Sequence, residues 1–376
     1  MAVAMSGGVD SSAAAAVLRT AGFDIFGVTM ALWSCHASDR ARKQTCCSTL
    51  DVEDARAVCA RLGIPHVVAD FRTEFRQQVI EQFVGEYAKG RTPIPCIGCN
   101  QYFKFERLWH FVREQHGAEY IATGHYARIP RNSAGGAIGL SRGCDPKKDQ
   151  SYYLFVMTPA QLQHSLFPLG ALTKPQVRAL AAEHGLVTAD KPESFEICFV
   201  PDNDYAGFIE DYYPEKAGAP GVFVDPQGNK VGAHHGTHAY TIGQRRGLGL
   251  QSGERHYVTA IDAATRTVTV GARADLESSG LIADQWNWIR TPLTHGETIR
   301  GAAKIRAAHE PAACAVTLSA DGTVEVHFDA PQSAITPGQA VVVYDGDRVL
   351  GGGWIRQAVS GRAESGVVQE VAAAWN

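Results

Sequence analysis

The loop Ser6-Gly7-Gly8-Val9-Asp10-Ser11-Ser12 constrains the fold more than any other stretch of the sequence. It follows five apolar residues that predict a short buried strand, and it precedes Ala13 to Arg19, which have high helix propensity. Glycines in such a turn let the backbone pass close to a ligand, and the first N–H groups of the helix point at negative charge. The stretch therefore predicts an anion site between a strand and a helix, with a simple tight turn as the alternative.

Asp10 indicates that the bound anion carries a metal ion. A bare carboxylate repels phosphate, and its presence is explained if Mg²⁺ lies between the two groups. The GK[ST] ending of the usual P-loop is absent, so transfer of a γ-phosphate is not indicated. We therefore expect a nucleotide and Mg²⁺ to bind at this loop.

The N-terminal half of the chain alternates strand-like and helix-like segments. This βαβα order predicts a parallel sheet with helices on both faces. Ligands bind beyond the carboxyl ends of the strands in such sheets, which is where the Ser6–Ser12 loop lies. The predicted segments are strands at 1–5, 25–30, 64–68 and 120–123 and helices at 51–62, 73–89 and 105–115.

The pattern changes after Pro201. Many glycines and short strand-like pieces follow, and then nearly every segment alternates with period two between turn residues. This alternation predicts a small β-barrel. We divide the chain into an α/β ATP-binding catalytic domain (1–205), a small central α+β domain (206–277), a C-terminal β-barrel (278–357) and a poorly ordered tail (358–376).

Composition limits the cellular context. The chain has 376 residues, of which 45% are apolar and 20% charged, as expected for a globular protein of two or three domains. No apolar run reaches the length of a membrane span and no secretory signal precedes the loop, so we expect a cytoplasmic protein without membrane contact. A net charge of −4 gives no global attraction to nucleic acid, so RNA would contact local basic patches.

Two cysteine segments are candidates for chemistry, and nine cysteines without a signal argue against a disulfide framework. Cys96 and Cys99 form a CxxC pair at the edge of a helix-forming segment, where the pKa of a thiol is lowered. Such a pair serves as nucleophiles, as a redox couple or as metal ligands, although no second CxxC completes a zinc site. Cys198 stands between Ile197 and Phe199, a setting that alone is typical of a buried core thiol. We interpret the other six as structural: Cys35, Cys46, Cys47, Cys59, Cys144 and Cys314.

Five motifs occur together in an order that is typical of one family. They are SGGVDSS at 6–12, RTPxPCxxCN at 91–100, GHYAR at 124–128, KDQSYYL at 148–154 and SxxICFV at 194–200. The first motif resembles the PP-loop of the N-type ATP pyrophosphatases, which cleave ATP between the α- and β-phosphates. The whole set resembles the bacterial and mitochondrial tRNA-specific 2-thiouridylases, from residue 1 to near residue 355.

The resemblance implies a tRNA-uridine 2-sulfurtransferase. In that family ATP adenylates the C2 oxygen of the wobble uridine of tRNA, and a persulfide sulfur then displaces AMP, so that AMP and diphosphate are the products. Cys99 corresponds to the nucleophile and Cys198 to the cysteine that carries the persulfide, and the two can form a disulfide bond. The implied cofactors are ATP and Mg²⁺, and the implied partners are a tRNA with a wobble uridine and a protein that donates persulfide sulfur.

The resemblance also assigns site residues one by one. Asp10 joins the two cysteines as a catalytic residue. The residues that correspond to nucleotide contacts are Ala4, Met5, Ser6, Gly7, Gly8, Val9, Asp10, Ser11, Met30 and Gly124. Those that correspond to tRNA contacts are Ile94, Pro95 and Cys96 at the target base, and Lys148, Asp149, Gln150, Arg306 and Ala307 elsewhere.

The sequence departs from the family pattern at two positions. Many members have Asn where Ile94 stands, so an amide contact to the base would be missing here, and some have Asp where Cys96 stands. Cys96, Cys99 and Cys198 could therefore surround a [4Fe-4S] cluster with an open iron site, as an alternative to a free persulfide.

Two other functions fit part of the sequence. A PP-loop ligase of the amidotransferase type needs a glutaminase domain or an amino-acid site, and it leaves Cys99 and Cys198 without a role. An ATP-binding sensor or RNA-binding adaptor accounts for the loop and the barrel but not for the paired cysteines. We therefore expect ATP-dependent 2-thiolation of tRNA.

Overall fold

The computed structural model describes residues 1–33, 49–131, 138–193, 197–200, 203–250 and 255–359. The predictions for Cys35, Cys46, Cys47 and the tail after residue 359 lie outside these residues. The described α-helices are α1 (Val9–Thr20), α2 (Thr49–Leu62), α3 (Arg72–Phe75), α4 (Glu81–Ala88), α5 (Pro95–Gly98), α6 (Leu108–His116), α7 (Pro159–Gln163), α8 (Lys174–Glu183) and α9 (Tyr205–Tyr212). Strands of the first half are β1 (Ala2–Ala4), β2 (Phe26–Ala31), β3 (His66–Asp70), β4 (Ile121–Ala122), β5 (Ala127–Arg128), β6 (Ser141–Arg142) and β7 (Ser165–Leu166).

Ten further strands follow in the second half of the chain. They are β8 (Gly221–Val224), β9 (Lys230–His234), β10 (Tyr257–Asp262), β11 (Thr267–Gly271), β12 (Glu277–Trp288), β13 (Thr298–Lys304), β14 (Ala312–Leu318), β15 (Val324–Ser333), β16 (Ala340–Asp345) and β17 (Arg348–Val359). Strands β8 to β11 form a four-stranded sheet in the order β10-β11-β8-β9.

The predicted parallel sheet is confirmed. Its strand order is β3-β2-β1-β4-β7, and every neighbouring pair is parallel. Strand β1 lies in the centre, with β2 on one side and β4 on the other. The strand order reverses there, and in open α/β sheets a ligand binds at the carboxyl ends of the strands that flank such a point.

Helices cover both faces of this sheet. Successive side chains of a strand point to opposite faces, so neighbouring residues of β1 pack against different helices. Val3 packs with residues of α1 and α2 in one core cluster. Its neighbour Ala2 packs with residues of α4 and α6 in the other. The loop after β1 is therefore held between two packed layers.

The predicted helix at 105–115 begins ten residues earlier than expected. Pro95 opens α5, a π-helical segment spans Cys99–Arg107, and α6 follows without a break. Proline suits the first position of a helix because its missing N–H has no partner there in any case. The CxxC pair thus lies in the first turns of the helix rather than before it.

The predicted β-barrel is also confirmed, and it has an unexpected extension. Six strands in the order β12-β15-β14-β13-β16-β17 close through the pairing of β12 with β17. The hairpin of β5 and β6, from the first half of the chain, adds to β17 where Arg348 lies opposite Ser141. The barrel and the parallel-sheet layer are therefore joined by backbone pairing.

Among the described residues, no helix combines the length and apolar character that crossing a membrane requires.

Candidate active site

The loop after β1 has the geometry of an anion site. Gly8, which precedes α1, is extended (φ −99°, ψ 164°) and has no side chain to accept hydrogen bonds from the first turn. The N–H groups of that turn can therefore meet a negatively charged ligand. The Ser11 hydroxyl braces the loop: it accepts from the Ser6 N–H and donates to the Gly8 carbonyl, both at 3.1 Å.

Two glycines are required by close approach of the backbone. Gly7 has φ +70°, and a Cβ there would lie 2.2 Å from the Asp51 carbonyl oxygen. Gly124, just after β4, lies against α1, and a Cβ there would lie 2.7 Å from the carbonyl carbon of Asp10. A side chain at either position would displace the loop, so these two of the three predicted nucleotide-binding glycines are required by the backbone around the loop.

The other predicted nucleotide residues lie around the same strand ends. Ala4 ends β1, and Met30 lies near the end of the adjacent β2 with 9% of its surface exposed. Met5 and Val9 are buried in the core below the loop. Contacts of Met5 and Val9 with a nucleotide would therefore use their backbone atoms.

The Asp10 carboxylate receives three hydrogen bonds. The Tyr126 hydroxyl donates to Oδ1 at 2.7 Å, and the Lys174 ammonium group donates to Oδ1 at 2.7 Å and to Oδ2 at 2.9 Å. A carboxylate offers about four lone-pair positions, so Oδ2 retains one. Because the side chain is 34% exposed and Mg²⁺ prefers oxygen ligands, Asp10 fits a Mg²⁺ ion.

The segment 191–193 is attached to the nucleotide loop directly through Lys191 and indirectly through Glu193, which contacts the lysine that binds Asp10. Lys191 Nζ donates to the Gly7 carbonyl at 2.9 Å and also to Asp51 at 2.8 Å and Asp54 at 2.5 Å. Burial alone would lower the pKa of Lys191, but the bonds to the two aspartates outweigh it and raise the pKa. Glu193, at the other end, lies 2.9 Å from Lys174 Nζ. Cys198 follows this segment in the sequence.

His125 is buried beside Gly124 and is held as a neutral ring. Burial is the main cause that keeps the pKa of His125 well below its usual range, and the charge of Lys104 adds to it. Lys104 Nζ lies 3.4 Å from Nε2 and has no lone pair to accept with, so Nε2 is the acceptor. The proton is then on Nδ1, which donates to the Thr123 hydroxyl at 2.7 Å.

The CxxC segment combines an exposed thiol with a half-buried one. Cys96 is exposed, whereas Cys99 is half-buried and packs against the main core. The Asn100 amide, which is 2% exposed, donates to the Tyr153 carbonyl at 3.0 Å and fixes this part of the helix. Burial is the main cause that raises the pKa of Tyr153 to about 12, and an electrostatic contribution from Cys96 adds to it.

Cys198 lies in a turn that aromatic packing anchors. The Val200 N–H donates to the Ile197 carbonyl at 3.0 Å across the turn. Phe199 is 1% exposed and contacts three rings, with centroids 5.2 Å (Phe83), 5.6 Å (Phe208) and 5.9 Å (Phe75) away. Cys198 itself is half-buried against the same core cluster as Cys99.

The iron–sulfur cluster at Cys96, Cys99 and Cys198 stays a prediction. In the part of the chain that the structure describes, which includes Cys96, Cys99 and Cys198, no three or more His, Cys, Asp or Glu side chains gather to hold a metal ion. Cys96 faces solvent, whereas Cys99 and Cys198 are half-buried. The other cysteines interpreted as structural include Cys59 and Cys314, whose pKa values burial raises to about 11 and about 12.

Comparison with known proteins decides which family these features belong to. The sequence matches the tRNA methyl transferase HUP domain over residues 1–202, the tRNA methyl transferase PRC-barrel domain over 206–272 and the aminomethyltransferase beta-barrel domain over 278–355. It is 51% identical to the tRNA-specific 2-thiouridylase MnmA of Geotalea uraniireducens over 95% of both chains. It is 49% identical to that of Geobacter metallireducens over 95% of this chain and 97% of the relative.

The chain belongs to the tRNA-specific 2-thiouridylase family. A HUP domain with a PP-loop fits the binding of ATP, in agreement with the Ser6–Ser12 loop described above. The resemblance inferred from the five motifs is thereby confirmed over nearly the whole chain.

The predicted tRNA residues of the 2-thiouridylase fall in different environments. Lys148 Nζ donates to Glu193 at 2.5 Å and is 27% exposed. The Asp149 side chain is 2% exposed and accepts hydrogen bonds from Arg142, Gly143 and Ser151. The buried Asp149 side chain therefore stabilises the conformation of this stretch through its hydrogen bonds.

Gln150 and the barrel residues complete the predicted tRNA set. Gln150 Oε1 accepts from the Tyr126 N–H at 3.0 Å, which ties this stretch to the residue that also binds Asp10. Arg306 is exposed and donates to the Ser333 carbonyl at 3.2 Å, and Ala307 packs against the main core. Arg306 and Lys148 are thus the two cationic side chains of the set, and both reach the surface.

Ile94 and Pro95 border a cavity between the parallel-sheet layer and the barrel. The cavity has a volume of about 240 Å³, and Asp284, Gln285 and Trp354 line it from the barrel side. The predicted base-contacting segment is therefore next to polar barrel groups, and this juxtaposition could not be derived from the sequence.

Lys174, Glu193 and Tyr126 are site residues to which sequence reasoning gave no role. Thr173 and Gln176 form a capping box that marks the start of α8, and this signal is visible in the sequence. It does not show that Lys174, at the first position of that helix, bonds to Asp10, which is 164 residues away.

Proposed function

We propose that the protein catalyses ATP-dependent 2-thiolation of the wobble uridine of tRNA. Membership of the 2-thiouridylase family supports the reaction, and the geometry at the end of β1 supports the use of ATP. The observation that carries the proposal is the hydrogen bond from Lys191 to the Gly7 carbonyl, which attaches a segment that precedes Cys198 in the sequence to the nucleotide loop. Such an attachment suits an enzyme that activates an atom with ATP and replaces it with sulfur.

The first step is attack of the uridine C2 oxygen on the α-phosphate, with diphosphate as the leaving group. The first-turn N–H groups of α1 hold phosphate oxygens, and Lys174 places a positive charge at the same end of the helix. Asp10 would hold Mg²⁺ through Oδ2, and the ion would neutralise phosphate charge. Ala4 to Ser11, Met30 and Gly124 form the proposed nucleotide site.

The second step replaces the adenylated oxygen with sulfur. The terminal sulfur of a persulfide on Cys198 bonds to C2, and AMP leaves with the oxygen. The Cys99 thiolate then attacks the Cys198 sulfur, which releases 2-thiouridine and leaves a Cys99–Cys198 disulfide. A thiol reductant and a persulfide donor protein restore the starting state.

Binding of tRNA is proposed along the first half of the chain and the barrel. The candidate contacts are Ile94, Pro95 and Cys96 for the base, and Lys148, Asp149, Gln150, Arg306 and Ala307 for the rest of the tRNA. The three matched family regions fall within 1–205, 206–277 and 278–357, which supports these ranges as the proposed domains. We propose a cytoplasmic location for this reaction.

The test is a product analysis with ATP, an unmodified tRNA transcript and a persulfide donor. We expect AMP, diphosphate and 2-thiouridine in equal amounts, and no AMP when tRNA is omitted. Production of ADP and phosphate, or AMP formation that ignores tRNA, would contradict the proposal.

A further inference from the structure

One carboxylate binds two lysines that belong to different parts of the proposed site. Glu193 Oε2 accepts from Lys148 Nζ at 2.5 Å, and Oε1 lies 2.9 Å from Lys174 Nζ. Arg178 Nη2 lies 3.9 Å from the same Oε1. Because Lys174 bonds to Asp10 of the nucleotide loop and Lys148 begins the proposed tRNA stretch, Glu193 lies between two sites that take phosphate groups.

The donors of Lys174 are fully used in this arrangement. An ammonium group has three N–H donors, and they go to Asp10 Oδ1, Asp10 Oδ2 and Glu193 Oε1. A phosphate oxygen that binds Lys174 must therefore replace a carboxylate oxygen. A tRNA phosphate that binds Lys148 competes with Glu193 in the same way.

These ion pairs are shielded from water, so displacing them has a measurable cost. The side chains of Glu193, Lys174 and Lys148 are 18%, 9% and 27% exposed. Burial alone would raise the pKa of Glu193, but the hydrogen bonds from Lys148 and Lys174 outweigh it and lower the pKa, so the carboxylate is charged. A charge in such a pair that loses its partner without gaining another is left uncompensated in a partly buried position, which is costly.

We propose that Glu193 is a displaceable counter-ion that occupies Lys174 and Lys148 in the ligand-free enzyme and releases both when ATP and tRNA bind. This inference rests on the proposed function, which supplies the two ligands. Since the same carboxylate holds both lysines, moving it away from one also moves it away from the other. The ligand that binds first removes the competitor of the second, and ATP and tRNA therefore favour each other's binding.

The test measures the binding of α,β-methylene-ATP with Mg²⁺, and of unmodified tRNA, each alone and together. In the wild type we expect either ligand to tighten the other by the same factor, about tenfold, because coupling is reciprocal. Glu193→Gln should bind each ligand alone about tenfold more tightly than the wild type and should show less than about twofold coupling. Glu183→Gln is the matched control, since it removes the same charge from the exposed end of α8 and should behave as the wild type.

The direction of the change in affinity distinguishes a counter-ion role of Glu193 from a structural role. A structural glutamate predicts weaker binding after substitution, so a folded Glu193→Gln with unchanged or lower affinities would overturn the proposal. Absence of coupling in the wild type would also overturn it, whatever the variant does. Formation of 2-thiouridine by the wild type is measured separately, so failure of the counter-ion role is distinguishable from failure of the proposed function.

Discussion

The nucleotide loop and the two cysteine segments serve one proposed reaction, but different forces hold them in place. Charged hydrogen bonds fix the loop, above all those from Lys174 to Asp10 and from Lys191 to the Gly7 carbonyl. Aromatic packing fixes the turn at Cys198, because Phe199 is buried among three rings beside it. We therefore expect substitutions that change a charge near the loop to alter ATP chemistry. Substitutions in the aromatic cluster around Phe199 should instead alter sulfur transfer.

The largest effect is expected from Asp10→Asn. The amide is neutral, so it binds Mg²⁺ poorly and no longer compensates Lys174, which lies 2.7 Å from Oδ1. We expect tRNA-dependent release of diphosphate to fall by about 100- to 1000-fold, as for loss of a group that stabilises transition-state charge. Release of diphosphate is the measurement, and thermal unfolding is recorded beside it, because Lys174 loses the charge that compensates it and the stability should fall.

A matched control for this variant is Asp24→Asn, which removes the same charge from an exposed position. It should release diphosphate at the wild-type rate. Equal activity of Asp10→Asn and Asp24→Asn would remove Asp10 from the proposed chemistry and would weaken the contrast between the two regions.

Phe199→Ala tests the apolar side of the comparison. Removing this ring, which is 1% exposed, should lower the free energy of unfolding by about 3–5 kcal/mol because a cavity remains. Thiolation should slow, since the turn that carries Cys198 loses its anchor, while the affinity for α,β-methylene-ATP should stay near that of the wild type. Phe23→Ala, at a residue that is 46% exposed, is the control.

The proposed contrast between the nucleotide loop and the cysteine segments is wrong if Phe199→Ala weakens binding of the ATP analogue as much as it slows thiolation. That result would mean that the aromatic cluster supports the nucleotide loop as well, and that the two regions are one mechanical unit.

The smallest effect is expected for the pH dependence of stability that His125 causes. The pKa of His125 lies well below its usual 6.5 because of burial and the nearby Lys104. Below pH 6.5 the unfolded chain binds a proton here that the folded chain does not, so the free energy of unfolding falls as the pH drops. The contribution is at most about 1.4 kcal/mol per pH unit.

Thermal unfolding between roughly pH 7.5 and pH 5.5 checks this contribution. His125→Gln should lose less stability over that interval than the wild type, whereas His110→Gln, with an exposed ring, should lose as much. Equal losses in all three proteins would show that His125 does not titrate differently in the folded and unfolded states.

Local signals explain why the nucleotide loop could be predicted from the sequence. The apolar strand, the glycine turn and the helix-forming run are consecutive, and the structure places β1, the loop and α1 there. The barrel could also be predicted from the sequence, because period-two alternation is likewise a local pattern. The predicted start of the helix was wrong at the CxxC pair, where Pro95 opens a helix that was expected to start at Phe105.

Contacts between distant residues explain what could not be predicted. Lys174 and Tyr126 reach Asp10 across 164 and 116 positions of the chain, and nothing in their immediate neighbours indicates this. The pairing of β6 with β17 likewise depends on how two layers come together. The motifs predict which residues do chemistry, but they do not indicate the charged groups that set the environment of those residues.

The central claim is that the loop activates the base and Cys198 supplies the sulfur, in two separable steps. Cys198→Ser tests it most directly, with diphosphate release and 2-thiouridine measured in the same reaction and Cys144→Ser, at an exposed cysteine, as the control. The account predicts that Cys198→Ser still releases diphosphate in the presence of tRNA but forms no 2-thiouridine, while the control does both. Formation of 2-thiouridine by Cys198→Ser, or loss of its diphosphate release, would contradict the account.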